Sequence, residues 1–96
     1  MNDYVIYGKT GCLDCIEVKK YLTEEGKRYD YTDCDKLLKI DREGFIKVMK
    51  EKTGRDTIRF PLVFFNTKYI GGFNETILKV ESEYFYNYYI IILLAK

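Results

Sequence analysis

Ninety-six residues, 47% apolar and 32% charged, are enough for one small domain with one core, and a second domain would be too small to fold alone. A formal net charge of +1 gives no electrostatic reason to invoke nucleic acid or an anionic membrane surface. With no histidine, hydrolase arrangements built on an imidazole base and most zinc enzymes are excluded. The three cysteines are odd in number and follow no framework spacing. Met1-Asn2-Asp3-Tyr4 lacks the zones of a signal peptide, so a reducing cytoplasm is the expected setting.

Asp3 to Tyr7 reads as a buried strand, being short, continuous, aromatic and β-branched. From Leu13 to Glu25 the apolar positions Ile16, Val18, Tyr21 and Leu22 follow helical spacing, and Gly26 supplies the left-handed residue that commonly ends a helix. Arg28 to Thr32, with Tyr29 and Tyr31, reads as a second strand. Two strands flanking one helix make a βαβ unit, whose strands are expected parallel with a right-handed connection. A second helix is expected between Ile40 and Lys52, with Asp41 as N-cap, a stripe of Phe45, Ile46, Val48 and Met49, and Gly54 as its stop. A loop from Thr53 to Phe60 carries Arg55, Asp56 and Arg59. Pro61, the one proline, precedes Leu62-Val63-Phe64-Phe65; with a turn at Asn66-Thr67 and Lys68-Tyr69-Ile70 this reads as a hairpin. After Gly71-Gly72, Asn74 is expected to cap a third helix, with Glu75 in its first turn. The chain is read as one domain over residues 1–96 with an apolar tail at about 83–96. From Tyr84 to Ala95 only Asn87 is clearly polar, and the stretch is too short to span a bilayer. Its favoured reading is a terminal helix closing the core; the other is a self-association or partner face.

The chemistry concentrates at Lys9-Thr10-Gly11-Cys12-Leu13-Asp14-Cys15. A Cys-x-x-Cys between a strand and a helix puts the first sulfur at the helix amino terminus, where unpaired N–H groups and the macrodipole favour a thiolate. Cys12 is therefore the expected nucleophile and Cys15, one turn in and more buried, the resolving thiol. Lys9 adds positive charge and lowers the Cys12 pKa. Asp14 opposes it: a carboxylate about 7 Å away, at an effective dielectric of roughly 20 to 80, raises that pKa by roughly half a unit to two units. A zinc ribbon would need a second cysteine pair, and Cys34 is single. Cys34 itself reads as a buried small hydrophobe, with a regulatory thiol and an intermolecular link as the other readings.

The segments Tyr7 to Cys15 and Phe60 to Asn74, with Thr53-Gly54 and Lys19, together resemble the glutaredoxin family over about Tyr4 to Leu78. The resemblance implies an α/β, thioredoxin-like fold with a four-stranded mixed sheet flanked by helices. It also implies a glutathione-dependent thiol–disulfide oxidoreductase acting on protein or glutathione mixed disulfides through Cys12 and Cys15. Glutathione is then the co-substrate, disulfide-containing proteins are the partners, and no metal is expected. Pro61 would be a cis-proline presenting the backbone of Phe60 to the glutathione cysteinyl group. Lys9 would meet one glutathione carboxylate, and the backbone of Gly72, Phe73 and Asn74 the other. Leu13-Asp14 stand where the family usually has Pro and an aromatic, and Arg59-Phe60 stand where it has Thr-Val. Arg59 and Asp14 are accordingly further site candidates.

The rival readings are a thioredoxin-like electron donor reduced by a flavoprotein reductase, serving for instance ribonucleotide reductase, and a non-catalytic binding module using the apolar tail. Iron–sulfur cluster bridging through Cys12 ranks third. A composition rich in Tyr and Ile suits a virus or phage, in which case the setting is host cytoplasm or virion.

Overall fold

The structure is a computed structural model that describes residues 3–95. Met1 and Asn2 of the N-terminal reading and Lys96 at the end of the tail lie outside the described residues.

Strand β1 (Tyr4–Gly8) runs parallel to β2 (Tyr29–Asp33), with Tyr4 opposite Tyr29 and Gly8 opposite Asp33, and helix α1 (Leu13–Glu24) makes the crossover. Gly26, at φ +69°, ends α1, and the Lys27 N–H closes back onto the Leu22 carbonyl at 2.8 Å. Strands β3 (Leu62–Phe65) and β4 (Lys68–Gly71) form the antiparallel hairpin, and β3 pairs antiparallel with β1. The sheet order β2-β1-β3-β4 leaves β1 central, with one parallel and one antiparallel neighbour. This is the mixed four-stranded sheet that the resemblance implies.

Alternation along β1 divides the core. Tyr4 and Ile6 pack with Val18, Leu22, Val63 and Val80 on one face, under α1 and the last helix, α4 (Phe73–Leu94). Val5 and Tyr7 point to the other face, where Leu62 and Phe64 meet residues of α2 (Asp35–Ile40) and α3 (Arg42–Thr53). Helix α2 was not expected from the pattern. It buries only Leu38 and leaves Leu37 and Ile40 exposed, so it shows no apolar stripe. Helix α3 begins as expected, with the Asp41 carboxylate accepting the Gly44 N–H at 3.0 Å. Two core assignments are corrected: Ile16 is 57% exposed and Val48 46% exposed, because each lies on the outer side of its helix.

Two further corrections concern α4. Its N-cap is Gly72, not Asn74, because Glu75 reaches back to accept the Gly72 N–H at 2.9 Å and the helix starts at Phe73. The tail does not close the core. It continues α4 as one rod of 22 residues, on the order of 33 Å long. Thr76 and Val80 are the buried positions of that helix, and beyond Glu83 its large side chains face outward. Beside Tyr84, whose ring centroid lies 5.6 Å from the Lys27 ammonium, Glu83 ties the helix to the body. Its carboxylate accepts from the Tyr4 hydroxyl at 3.2 Å and pairs with Lys27 at 3.0 Å. Burial, then Glu83, pushes the Tyr4 hydroxyl pKa upward, and the bond to Glu83 raises that of Lys27.

Leu22 is fully buried between α1 and the sheet, so Leu22→Ala is expected to cost about 3 kcal/mol in urea unfolding. Ile16→Ala in the same helix should stay within about 0.5 kcal/mol of the parent, and equal losses from the two would contradict this packing.

Candidate active site

Cys12 occupies the N-cap of α1 in extended backbone geometry, φ −108° and ψ 104°. Its Sγ accepts the Cys15 N–H at 3.1 Å, the place a Ser or Asp oxygen takes in an ordinary helix cap. The two cysteines are joined by a disulfide, with Cα atoms 5.2 Å apart. Cys12 is half-buried, whereas Cys15 is 1% exposed beneath it. That inequality gives the pair a direction: an incoming molecule can reach the Cys12 sulfur, and the Cys15 sulfur is reached from Cys12. When the disulfide is open, a thiolate at Cys12 would gain from the N–H of Cys15 and from the amino end of a 12-residue helix. Asp14 is exposed in the first turn of that helix and opposes it.

A groove of about 770 Å³ reaches the first turn of α1 at Asp14, between the two cysteines in sequence. It brings together Asp14, Arg59, Phe60, Pro61, Gly72, Phe73 and Asn74 from three parts of the chain. The Phe60–Pro61 peptide bond is cis. Phe73 and Asn74 open α4, and N–H groups in the first turn of a helix have no intrahelical acceptor. Gly71 is held at φ +129°, where an added Cβ would press on the Glu75 side chain. Gly72 is different: a Cβ there would meet nothing closer than the Pro61 carbonyl at 3.6 Å.

Lys9 and Cys12 line a second, smaller recess of about 260 Å³, together with Lys19, Tyr31 and Asp33. Phe60 links the two spaces, since the Lys9 ammonium stands 5.5 Å from the centroid of its ring. Sequence reasoning assigned no role to several other groove residues. Arg55 lies 6.0 Å from the Tyr69 ring centroid, and both line the groove with Asp56 and Glu75. Arg55 lies in the loop after α3, and the hairpin strand that carries Tyr69 is what brings the two together. Burial raises the Tyr69 hydroxyl pKa and the Arg55 charge works against that rise. Among the described residues, no cluster of three or more His, Cys, Asp or Glu side chains could hold a metal ion, and no helix is long and apolar enough to cross a membrane.

Cys34 stands apart from this chemistry. It is fully buried in the α2–α3 side of the core and donates weakly to the Thr32 carbonyl at 3.7 Å. Burial, with Asp33 and Asp35 nearby, pushes its thiol pKa up to about 11.

A family model described as Glutaredoxin matches residues 4–70. A glutaredoxin of Ricinus communis is 35% identical over 78 residues, covering 81% of this chain and 72% of the relative. Glutaredoxin 1 of Salmonella typhimurium is 35% identical over 72 residues, 71% of this chain and 78% of that one. Among solved structures, Glutaredoxin 1 from Francisella tularensis, complexed with cacodylate, superposes with a TM-score of 0.68 at 28% identity, over 88% of this chain and 95% of that chain. A buckwheat glutaredoxin–glutathione complex does so with a TM-score of 0.68 at 30% identity, over 85% and 71%.

The three thiols should separate by rate of alkylation in the reduced, folded protein. A thiol of pKa about 11 is roughly 0.1% ionised at pH 8, so Cys34 should react at least about a hundredfold more slowly than Cys12 and gain rate only as pH rises toward 11. Mass spectrometry of timed iodoacetamide samples reads this directly; comparable rates for Cys34 and Cys12 would contradict the burial.

Proposed function

The chain belongs to the glutaredoxin family and is a dithiol thiol–disulfide oxidoreductase, and from that premise we propose that it reduces glutathione mixed disulfides with glutathione as its electron source. The Cys12 thiolate attacks the glutathione sulfur of a protein–glutathione disulfide. The protein thiolate leaves and takes a proton, and Cys12 carries the glutathione. Cys15 then attacks the Cys12 sulfur, giving the Cys12–Cys15 disulfide and releasing glutathione. Two further glutathione molecules return the pair to the dithiol and leave as glutathione disulfide, so two electrons pass from glutathione to the substrate.

The observation that carries this reading is the groove itself, which joins Phe60, Pro61, Gly72, Phe73 and Asn74 to Asp14 in the first turn of the helix that Cys12 caps. In this reading the backbone of Phe60 pairs with the cysteinyl part of glutathione, and the first turn of α4 takes the γ-glutamyl carboxylate. Lys9 takes the other carboxylate from above Phe60. Arg59 puts a cation where the family usually has a threonine, and it faces the same groove as Asp14. The pair gives the site a substrate preference that depends on charge. A buried, free Cys34 is compatible with a reducing cytoplasm, which is where we place the protein.

The test is mixing the Cys15→Ser variant with oxidised glutathione, and the parent with reduced glutathione. A single glutathione adduct at Cys12 and reduction of the parent disulfide are expected. A parent disulfide that reduced glutathione leaves intact, while a thioredoxin reductase opens it, would favour the flavoprotein-dependent rival.

The tail supports a second assignment, self-association. Nine large apolar side chains between Tyr84 and Leu94 are 38–81% exposed on a stretch of α4 without a charged residue. At roughly 100 Å² each they amount to on the order of 900 Å² per chain, about what one side of a stable interface buries. An uncharged, all-round apolar surface fits another of its own kind, so the occupant assigned is a second copy of the chain. Sedimentation of the full chain should show a concentration-dependent dimer or larger species. Ile91→Glu should shift it to monomer with disulfide reduction intact, whereas a parent that stays monomeric at high micromolar concentration removes the assignment.

A further inference from the structure

The loop between β1 and α1 has no regular structure of its own, yet it decides where Cys12 stands. Gly8 ends β1 against the Tyr31 ring, where a Cβ would collide, and its carbonyl accepts the Cys34 N–H at 2.8 Å. Two residues on, the Thr10 N–H donates to one carboxylate oxygen of Asp35 at 2.9 Å, and the Thr10 hydroxyl donates to the other. Asp35 is itself oriented, since its own N–H donates to the Asp33 carboxylate at 2.9 Å. The loop is thus tied at Gly8 and again at Thr10 to the turn that enters α2. Only Gly11, at φ +75°, lies between the second tie and Cys12. The Thr10 hydroxyl, then its N–H, and more weakly Lys9 hold the Asp35 carboxyl below its ordinary range, so the carboxylate that makes these bonds persists at neutral pH.

We propose that Asp35 is a positioning residue for Cys12: gripping Thr10 through both oxygens, it keeps Cys12 in its extended N-cap geometry once the disulfide opens. The proposal rests on the reading of Cys12 as the attacking thiol. In the oxidised form the bond to Cys15 holds the Cys12 sulfur over the first turn of α1. Reduction removes that tether. The stabilisation of a thiolate by a helix end falls off within one turn, so a loop that drifts forfeits it. Two bonds from one carboxylate to one residue resist that drift with a single side chain ordered. The Asp35 charge itself works against a nearby thiolate, and this separates two substitutions. Asp35→Asn removes the charge but keeps an acceptor for the Thr10 N–H and a donor for its hydroxyl oxygen. Asp35→Ala removes charge and grip together.

The experiment follows the pH dependence of Cys12 alkylation in a Cys15→Ser background, alone and combined with Asp35→Asn, Asp35→Ala or Thr10→Ala. It is paired with kcat and KM for reduction of a glutathionylated peptide in the corresponding dithiol proteins. Asp35→Ala should raise the Cys12 pKa relative to Asp35→Asn and lower kcat/KM about tenfold, while Asp35→Asn stays within about twofold of the parent. Thr10→Ala, which loses one of the two bonds, should fall between. Equal pKa values for Asp35→Ala and Asp35→Asn would mean that Asp35 acts by charge alone and would overturn the proposal, as would no shift in either. A lowered Cys12 pKa in the parent that no variant alters sinks this proposal only; an ordinary thiol pKa in the parent sinks the reading of Cys12 as well. If Asp35→Ala does not fold, Thr10→Ala carries the test, with Thr10→Ser restoring the parent pKa.

Discussion

At the amino end of α1 a sulfur does the work of a capping oxygen. The Cys15 N–H needs an acceptor there, and Gly11-Cys12-Leu13 offers no hydroxyl or carboxylate for it, so the Cys12 Sγ accepts at 3.1 Å. The reactive atom and the helix cap are therefore one atom. Sulfur is a weak acceptor as a thiol and a strong one as a thiolate, so the same N–H that finishes the helix favours ionisation. The helix can tolerate a poor cap because Val18 and Leu22, both fully buried, fasten it to the sheet. Packing by these two residues frees the first turn for chemistry.

The groove beside that turn is electrostatically mixed. Arg55 and Arg59 face it along with Asp14, Asp56 and Glu75. Glu75 is engaged with the Gly72 N–H, so part of its charge is directed into the start of α4. Asp14 sits exposed in the first turn of α1, one residue from Cys15. A cation at Arg59, lining the same groove, offsets Asp14 for a ligand held there. Lys9, above the Phe60 ring, extends positive potential to the rim nearest Cys12. A zwitterionic ligand suits such walls better than a purely anionic or cationic one.

Much of this was legible in the sequence because its signals are local and strong. The continuous aromatic and β-branched run Tyr4-Val5-Ile6-Tyr7, the spacing of Val18 and Leu22, the Asp41 cap and the Asn66-Thr67 turn each follow from a few neighbouring residues, and each stands where expected. The misses have a common cause: they depend on contacts remote in sequence or on the absence of such contacts. Helix α2 lacks a stripe and is entered from an Asp33–Asp35 turn, while its Asp35 is also engaged by Thr10 from 25 positions earlier. The cap of α4 moved to Gly72 because Glu75 turns back on it. Ile16 is apolar and correctly spaced, but it lies on the outer side of α1, lining the recess that holds Cys12. The Arg55–Tyr69 contact needed the hairpin to be built first. In the tail, hydropathy implied cover that the isolated chain does not supply.

One helix, α4, forms part of the groove wall at Phe73 and Asn74 and carries the uncovered stretch at its other end. An α-helix of this length is stiff, and Glu83 pins it to Tyr4 and Lys27 about halfway along. Thr76 and Val80, both fully buried, anchor the groove half of the helix in the body, so a load applied at Leu94 is taken up by the packed core before it reaches Phe73 and Asn74. The uncovered stretch can therefore meet a partner some thirty ångströms from the groove without disturbing the wall that borders it.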